Sequence, residues 1–107
     1  MSNSFSASST APIRSRFAGD EDYRELLEMF IEDIPERIAA LQAILEAETW
    51  TEMRQLAHQL KGAGGGYGFD SLSQSACALE QASDSQDADQ ILSSCNTLIA
   101  QLRRVTL

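Results

Sequence analysis

The sequence predicts an all-α protein, an antiparallel up-and-down four-helix bundle whose first helix is long, and three observations carry that prediction. Apolar residues recur at steps of three and four along four separate stretches, with no alternating pattern to compete. Only two prolines occur in 107 residues, and glycine is concentrated in one place, which argues for long helices over a turn-rich β protein. The chain is long enough for one domain that buries a core without metals or disulfides. Its aromatic share of 7% makes that core mostly aliphatic.

The chain opens with "MSNSFSASSTAP", rich in Ser, Ala and Thr, with little to bury. A flexible tail is therefore expected over residues 1–16 and the bundle over 17–107, with Ile13 and Phe17 pinning the end of the tail to the body. The first stripe runs through Tyr23, Leu26, Leu27, Phe30, Ile31, Ile34, Ile38, Leu41, Ile44 and Leu45. Asp20 is positioned to cap it, and Glu21 and Asp22 suit the positive end of the helix dipole. Pro35 interrupts the stripe without shifting its phase, so a continuous helix kinked at Pro35 is preferred to two helices joined at Ile34–Pro35.

"TWTE" at 49–52 has the form of a capping box with Thr49 as cap, followed by Trp50, Met53, Leu56, Leu60, Ala63 and Tyr67. Asp70 or Ser71 is the expected cap of the third helix, with stripe Leu72, Ala76, Leu79 and Ala82. After the polar break "SDSQD" comes the fourth: Ala88, Ile91, Leu92, Cys95, Leu98, Ile99, Leu102 and Val105, with Arg103 and Arg104 near its negative end.

A net charge of −8 and a pI near 4.4 argue against nucleic acid or an anionic membrane as partner. Cys77 and Cys95 are too few and too far apart for a disulfide framework or zinc site. Both fall on helix faces expected to be buried, as small apolar filler. No run approaches the ~20 apolar residues of a membrane span, and the N-terminus lacks the order of a signal peptide. The expectation is a soluble, cytoplasmic, free-standing domain, monomeric because its apolar stripes are used internally.

The stretch "LAHQLKGAGGGYGFD", residues 56–70, departs from ordinary helix composition. Each glycine in a helix interior costs about 0.8–1 kcal/mol relative to alanine. Five of them follow the only histidine of the chain. At about 100° per residue, His58 falls roughly 150° from the centre of its helix's apolar stripe. Gly62 lies one turn beyond it, Gly65 follows on that face, and Lys61 and Arg54 flank it. Gly64 points toward the core, where it allows close approach of a neighbour, and Gly68 is expected to cap the helix C-terminus. Gly66 has no separate role on this reading. The pattern leaves an imidazole on a bare convex face. A small substrate wants a concave pocket, whereas such a face suits docking by a macromolecule.

The segment "HQLKGAGGGYGFDSLSQSACALE", residues 58–80, resembles the signature of the histidine-containing phosphotransfer (HPt) domains of multistep two-component relays. His58, Lys61, Gly62, Gly68, Leu72, Leu79 and Glu80 match as they stand. The upstream "ELLEMFIEDIPERIAALQAIL", proline included, is also similar, and the resemblance covers about residues 17–105. It implies that His58 takes a phosphoryl group from an aspartyl phosphate on a receiver domain and passes it to another receiver. The partners implied are receiver domains of response regulators and of hybrid histidine kinases.

A neutral imidazole is a competent nucleophile near pH 7. His58 is expected to attack through Nε2, with an acceptor on its Nδ1–H fixing tautomer and ring direction. Its place in the motif makes Glu80 the candidate acceptor, although an ordinary surface carboxylate there is an equal reading. Lys61, one turn away, would bring positive charge to the phosphoryl oxygens, and Arg54 the same more weakly. Gln55, Gln59, Gly62 and Gly65 are expected at the rim that meets the partner.

Nothing in the chain forms a kinase site. "GAGGGYG" has the glycine density of a phosphate loop but lacks both the GK[ST] ending and a preceding strand. The expectation is a phosphocarrier that needs no cofactor of its own, any Mg²⁺ coming with the receiver domain. A docking module of the same fold that is never phosphorylated is the alternative. An enzyme or transition-metal site built on His58 is weak, because no second His or Cys stands at ligand spacing.

Overall fold

The computed structural model describes residues 11–107, and among them the regular structure is four α-helices: α1 Glu21–Ala47, α2 Trp50–Gly66, α3 Asp70–Ser85 and α4 Ala88–Leu102. Connections of two or three residues turn each helix back along the last. Each helix packs on its sequence neighbours, and α1 closes the ring against α4. The approach is closest between α2 and α3, and α1 stands further off from both of its neighbours. This is the all-α bundle that the periodicity predicts.

α1 spans 27 residues, about 40 Å of helix, and continues through Pro35, so the two-helix alternative falls. Pro35 is exposed there, and with no N–H it donates no helix hydrogen bond. Asp20 caps α1 as expected, its side chain accepting from the Asp22 N–H. Glu48, in the left-handed region at φ 57°, ends the helix.

Two other expected caps do not form. Thr49 makes no side-chain cap bond to α2; its carbonyl accepts from Met53 N–H, and the short connection from Glu48 leads straight into the helix. At α3 the cap position falls on Phe69, so Asp70 and Ser71 are already helical, and the Asp70 carboxylate pairs with Arg16 at 3.0 Å. Asp87 caps α4 by accepting from Gln90 N–H.

Leu27, Phe30, Ile34 and Leu41 of α1 meet Met53, Ala57 and Leu60 of α2, Leu72, Ala76 and Leu79 of α3, and Ile91, Cys95, Leu98 and Leu102 of α4. Phe30 stacks on Phe69 with centroids 5.3 Å apart and tilts against Tyr67 at 5.1 Å. Not every residue of the expected stripes is internal. Leu26 and Leu92 are 44% and 48% exposed, and Met29 beside them on α1 is 57% exposed. The ground for expecting a monomer, that the stripes are used up inside, therefore does not hold.

The first ten residues of the expected tail lie outside the described residues. The remainder of the expected tail, residues 11–16, is fastened to the body. Ile13 forms a parallel bridge to Val105, the Ser15 hydroxyl donates to the Tyr67 carbonyl, and Arg16 N–H donates to the Gly68 carbonyl at 2.9 Å. Ser15 is 7% exposed. Phe17 then stacks on Tyr23, in the first turn of α1, at 4.2 Å.

Cys95 is fully buried, and burial pushes its thiol up to about 11. Cys77 is only half-buried, on the side of α3 nearest Lys61, and takes a long contact from the Gln81 amide. Its role as core filler is thus not supported. No helix of the described residues is long and apolar enough to cross a membrane.

Candidate functional site

α2 turns Met53, Ala57, Leu60 and Gly64 inward, which sets His58 outward with its side chain 65% exposed. Gly64 is what lets α3 come close. A Cβ there would meet the Ser73 backbone nitrogen at 3.0 Å and Leu72 Cβ at 3.2 Å. The helix ends with Gly68 N–H on the Gly65 carbonyl and Phe69 N–H on the Gly64 carbonyl, a Schellman closure that requires the left-handed Gly68 (φ +83°). A side chain on Gly68 would also strike Ser15 Oγ at 2.6 Å. Gly68 thus sits one residue beyond the cap position, which falls on Tyr67, and turns the chain directly into α3.

That turn brings Glu80 of α3 against His58. The imidazole Nδ1 lies 3.0 Å from Glu80 Oε2, while Glu80 Oε1 lies 2.9 Å from Lys61 Nζ. One carboxylate, 13% exposed, bridges the two candidate residues of α2. The Lys61 ammonium, and less strongly the His58 ring, hold the Glu80 carboxyl below its ordinary value, against the opposing effect of burial. Glu80 in turn raises Lys61 above its own. An ionised carboxylate only accepts hydrogen bonds, so the neutral tautomer that suits this contact carries its proton on Nδ1 and its lone pair on Nε2. Glu80, which the sequence alone reads equally as an ordinary surface carboxylate, is in contact with both His58 and Lys61.

The glycines divide differently from the expectation. Gly62 and Gly66 are exposed, and a Cβ at either meets nothing within 4 Å. Gly65 is turned toward α3, where a Cβ would touch Ser73 Oγ at 3.6 Å. The cleared face beyond His58 is therefore made by Gly62 and Gly66, one turn apart. Gly65 belongs to the α2–α3 seam.

Gln55 and Gln59 are exposed beside His58. Arg54 is exposed too, but its guanidinium is held in an ion pair by Asp84 of α3. Two contributors escape sequence reasoning. The Ser73 hydroxyl donates to the Lys61 carbonyl at 3.0 Å and clamps α3 to α2 beside the site, yet it is one serine among several in its helix. Asp84 carries no signal until the register of α2 against α3 places it opposite Arg54. No three His, Cys, Asp or Glu side chains among the described residues converge in a metal-binding group.

The arrangement is an outward nucleophilic imidazole, oriented by a carboxylate, with an ammonium in reach, on a convex helix face without bulk. Such a site can take and release a small electrophilic group held by another macromolecule. Comparison with curated proteins and with solved structures returned no match. A family model described as Hpt domain matches residues 25–105, a span that holds all four helices but for the first turn of α1. The chain belongs to the Hpt domain family, the phosphotransfer modules of two-component phosphorelays.

Proposed function

We propose that this chain is a phosphorelay intermediate whose His58 accepts a phosphoryl group from an aspartyl phosphate of one receiver domain and delivers it to the aspartate of another. The observation that supports the reading is the single histidine, bound through Nδ1 to Glu80, its side chain 65% exposed and one turn from Gly62, where a Cβ would meet nothing within 4 Å.

The Nε2 lone pair attacks phosphorus, and the P–O bond to the aspartyl carboxylate breaks with its electrons going to that oxygen. The ring becomes a phosphorylated imidazolium, and its Nδ1–H donates to the Glu80 carboxylate, which offsets the new positive charge. Lys61, one turn from His58 and paired with Glu80, supports the phosphoryl oxygens. In the second half-reaction a receiver carboxylate attacks phosphorus, the P–Nε2 bond breaks, and the lone pair returns to the ring. Mg²⁺ is supplied by the receiver domain, and the partners are cytoplasmic. Gln55, Gln59, Gly62 and Gly66 form the surface the receiver meets. Arg54 joins it only when Asp84 releases it.

The test is incubation with receiver domains charged by radiolabelled acetyl phosphate. Wild type takes up acid-labile, base-stable label and His58→Gln takes up none. Label retained in the variant overturns the assignment, and an unlabelled wild type across several receivers favours a docking module instead.

A further inference from the structure

Both cations flanking His58 are held by carboxylates of α3, and the two holds differ. Glu80 is 13% exposed and shared between Lys61 Nζ and the imidazole. Asp84 is 56% exposed, and Arg54, its partner, is 50% exposed. Ion pairs in that setting exchange readily, because water and salt screen them.

Arg54 precedes His58 by four residues, so the two side chains are neighbours on the helix surface. A phosphoryl group on Nε2 places close to two negative charges and three acceptor oxygens within that neighbourhood. A guanidinium forks onto such oxygens in bidentate fashion and prefers them to one solvated carboxylate.

Resting on the reading of His58 as phosphoryl acceptor, we propose that Asp84 is a positioning residue that competes with the phosphoryl group for Arg54. Arg54 pairs with Asp84 while His58 is bare and with the phosphoryl oxygens once it is loaded. No covalent bond changes beyond the transfer itself; one ion pair is exchanged for another. Asp84 thereby sets how the phosphoryl group partitions between this chain and its receiver.

The experiment measures the equilibrium ratio of label on the full chain to label on a receiver charged with acetyl phosphate, for wild type, Asp84→Asn, Arg54→Gln and the double variant. Asp84→Asn is expected to raise the ratio by about two- to fivefold, the range of an exposed ion pair. Arg54→Gln lowers it by a similar factor, and the double variant matches Arg54→Gln alone. Label on wild type with a ratio unchanged or lowered in Asp84→Asn overturns this inference only. A rise of equal size in the Arg54→Gln background does so too, since the effect would not run through Arg54. A wild type that takes no label from any receiver overturns the acceptor reading and this inference together.

Discussion

The seam between α2 and α3 and the seam between α1 and α4 are built from opposite materials. α2 and α3 meet through Gly64, Ala57 and Ala76, with the Ser73 hydroxyl on the Lys61 carbonyl and the carboxylates of Glu80 and Asp84 reaching across. α1 and α4 bring large aliphatic residues to the core, Ile34, Leu41, Leu98 and Leu102 among them, and their flanks keep Ile31, Ile38, Leu45 and Val105 only half-covered around open depressions. Large aliphatic side chains bury area and tolerate variation in spacing. Small residues and polar bridges fix the distance and angle between two helices. His58, the proposed phosphoryl acceptor, stands on the second kind of seam, where its imidazole lies 3.0 Å from a carboxylate on the neighbouring helix.

The sharpest way to break this contrast is to add bulk to the tight seam. Gly64→Leu forces atoms against the Ser73 backbone, which cannot rotate away, and is expected to cost about 3 kcal/mol of stability. A chemical denaturation midpoint reads it. The same bulk two residues away should do the reverse. Gly62→Leu meets open space, so the bundle stays folded and the melting temperature holds or rises. Phosphotransfer slows by about tenfold, some 1.4 kcal/mol on the barrier, because the receiver can no longer approach. Transfer at the wild-type rate would remove the docking role of the cleared face.

On the loose seam, Ile38→Val trims one methylene from a half-buried position and should cost about 0.5 kcal/mol, with no change in transfer. The smallest effect is the pH dependence of the bridge. Glu80 is held below its ordinary 4.5, so its contribution to stability is present above that pH and fades as pH falls through its lowered folded value. Lys61 is raised above 10.5, so its contribution is complete below 10.5 and fades as pH climbs through the higher value. The difference in melting temperature between wild type and Glu80→Gln should be widest between those limits and narrow at both ends.

Most of the fold is legible in the sequence because burial imposes a period. Leu27, Phe30, Ile34 and Leu41 announce one face of α1, and Asp20 announces its start. What depends on a neighbour's position is not legible. Helical rotation places Gly65 near the face of His58, but which glycine stays open depends on where α3 lies, and α3 passes over Gly65 and leaves Gly66 bare. Leu26 and Leu92 share the phase of core residues at the edge of their stripes, and only the spacing of the helices leaves them outside. Thr49, Asp70 and Ser71 are good caps by type, yet Thr49 offers only its backbone carbonyl and the cap position of α3 falls one residue earlier, on Phe69. His58 and Lys61 stand out in the sequence as an exposed pair one turn apart. Ser73 and Asp84 do not, because their roles come from the register between two helices.

Glu80 on the Nδ1 side of the His58 ring leaves Nε2 as the atom proposed to carry the phosphoryl group. Nitrogen-15 and phosphorus-31 NMR of the phosphorylated chain, labelled at its one histidine, tests this directly. The expected result is phosphorus coupling at Nε2 with Nδ1 protonated. Coupling at Nδ1, or phosphate on any residue other than His58, would contradict it.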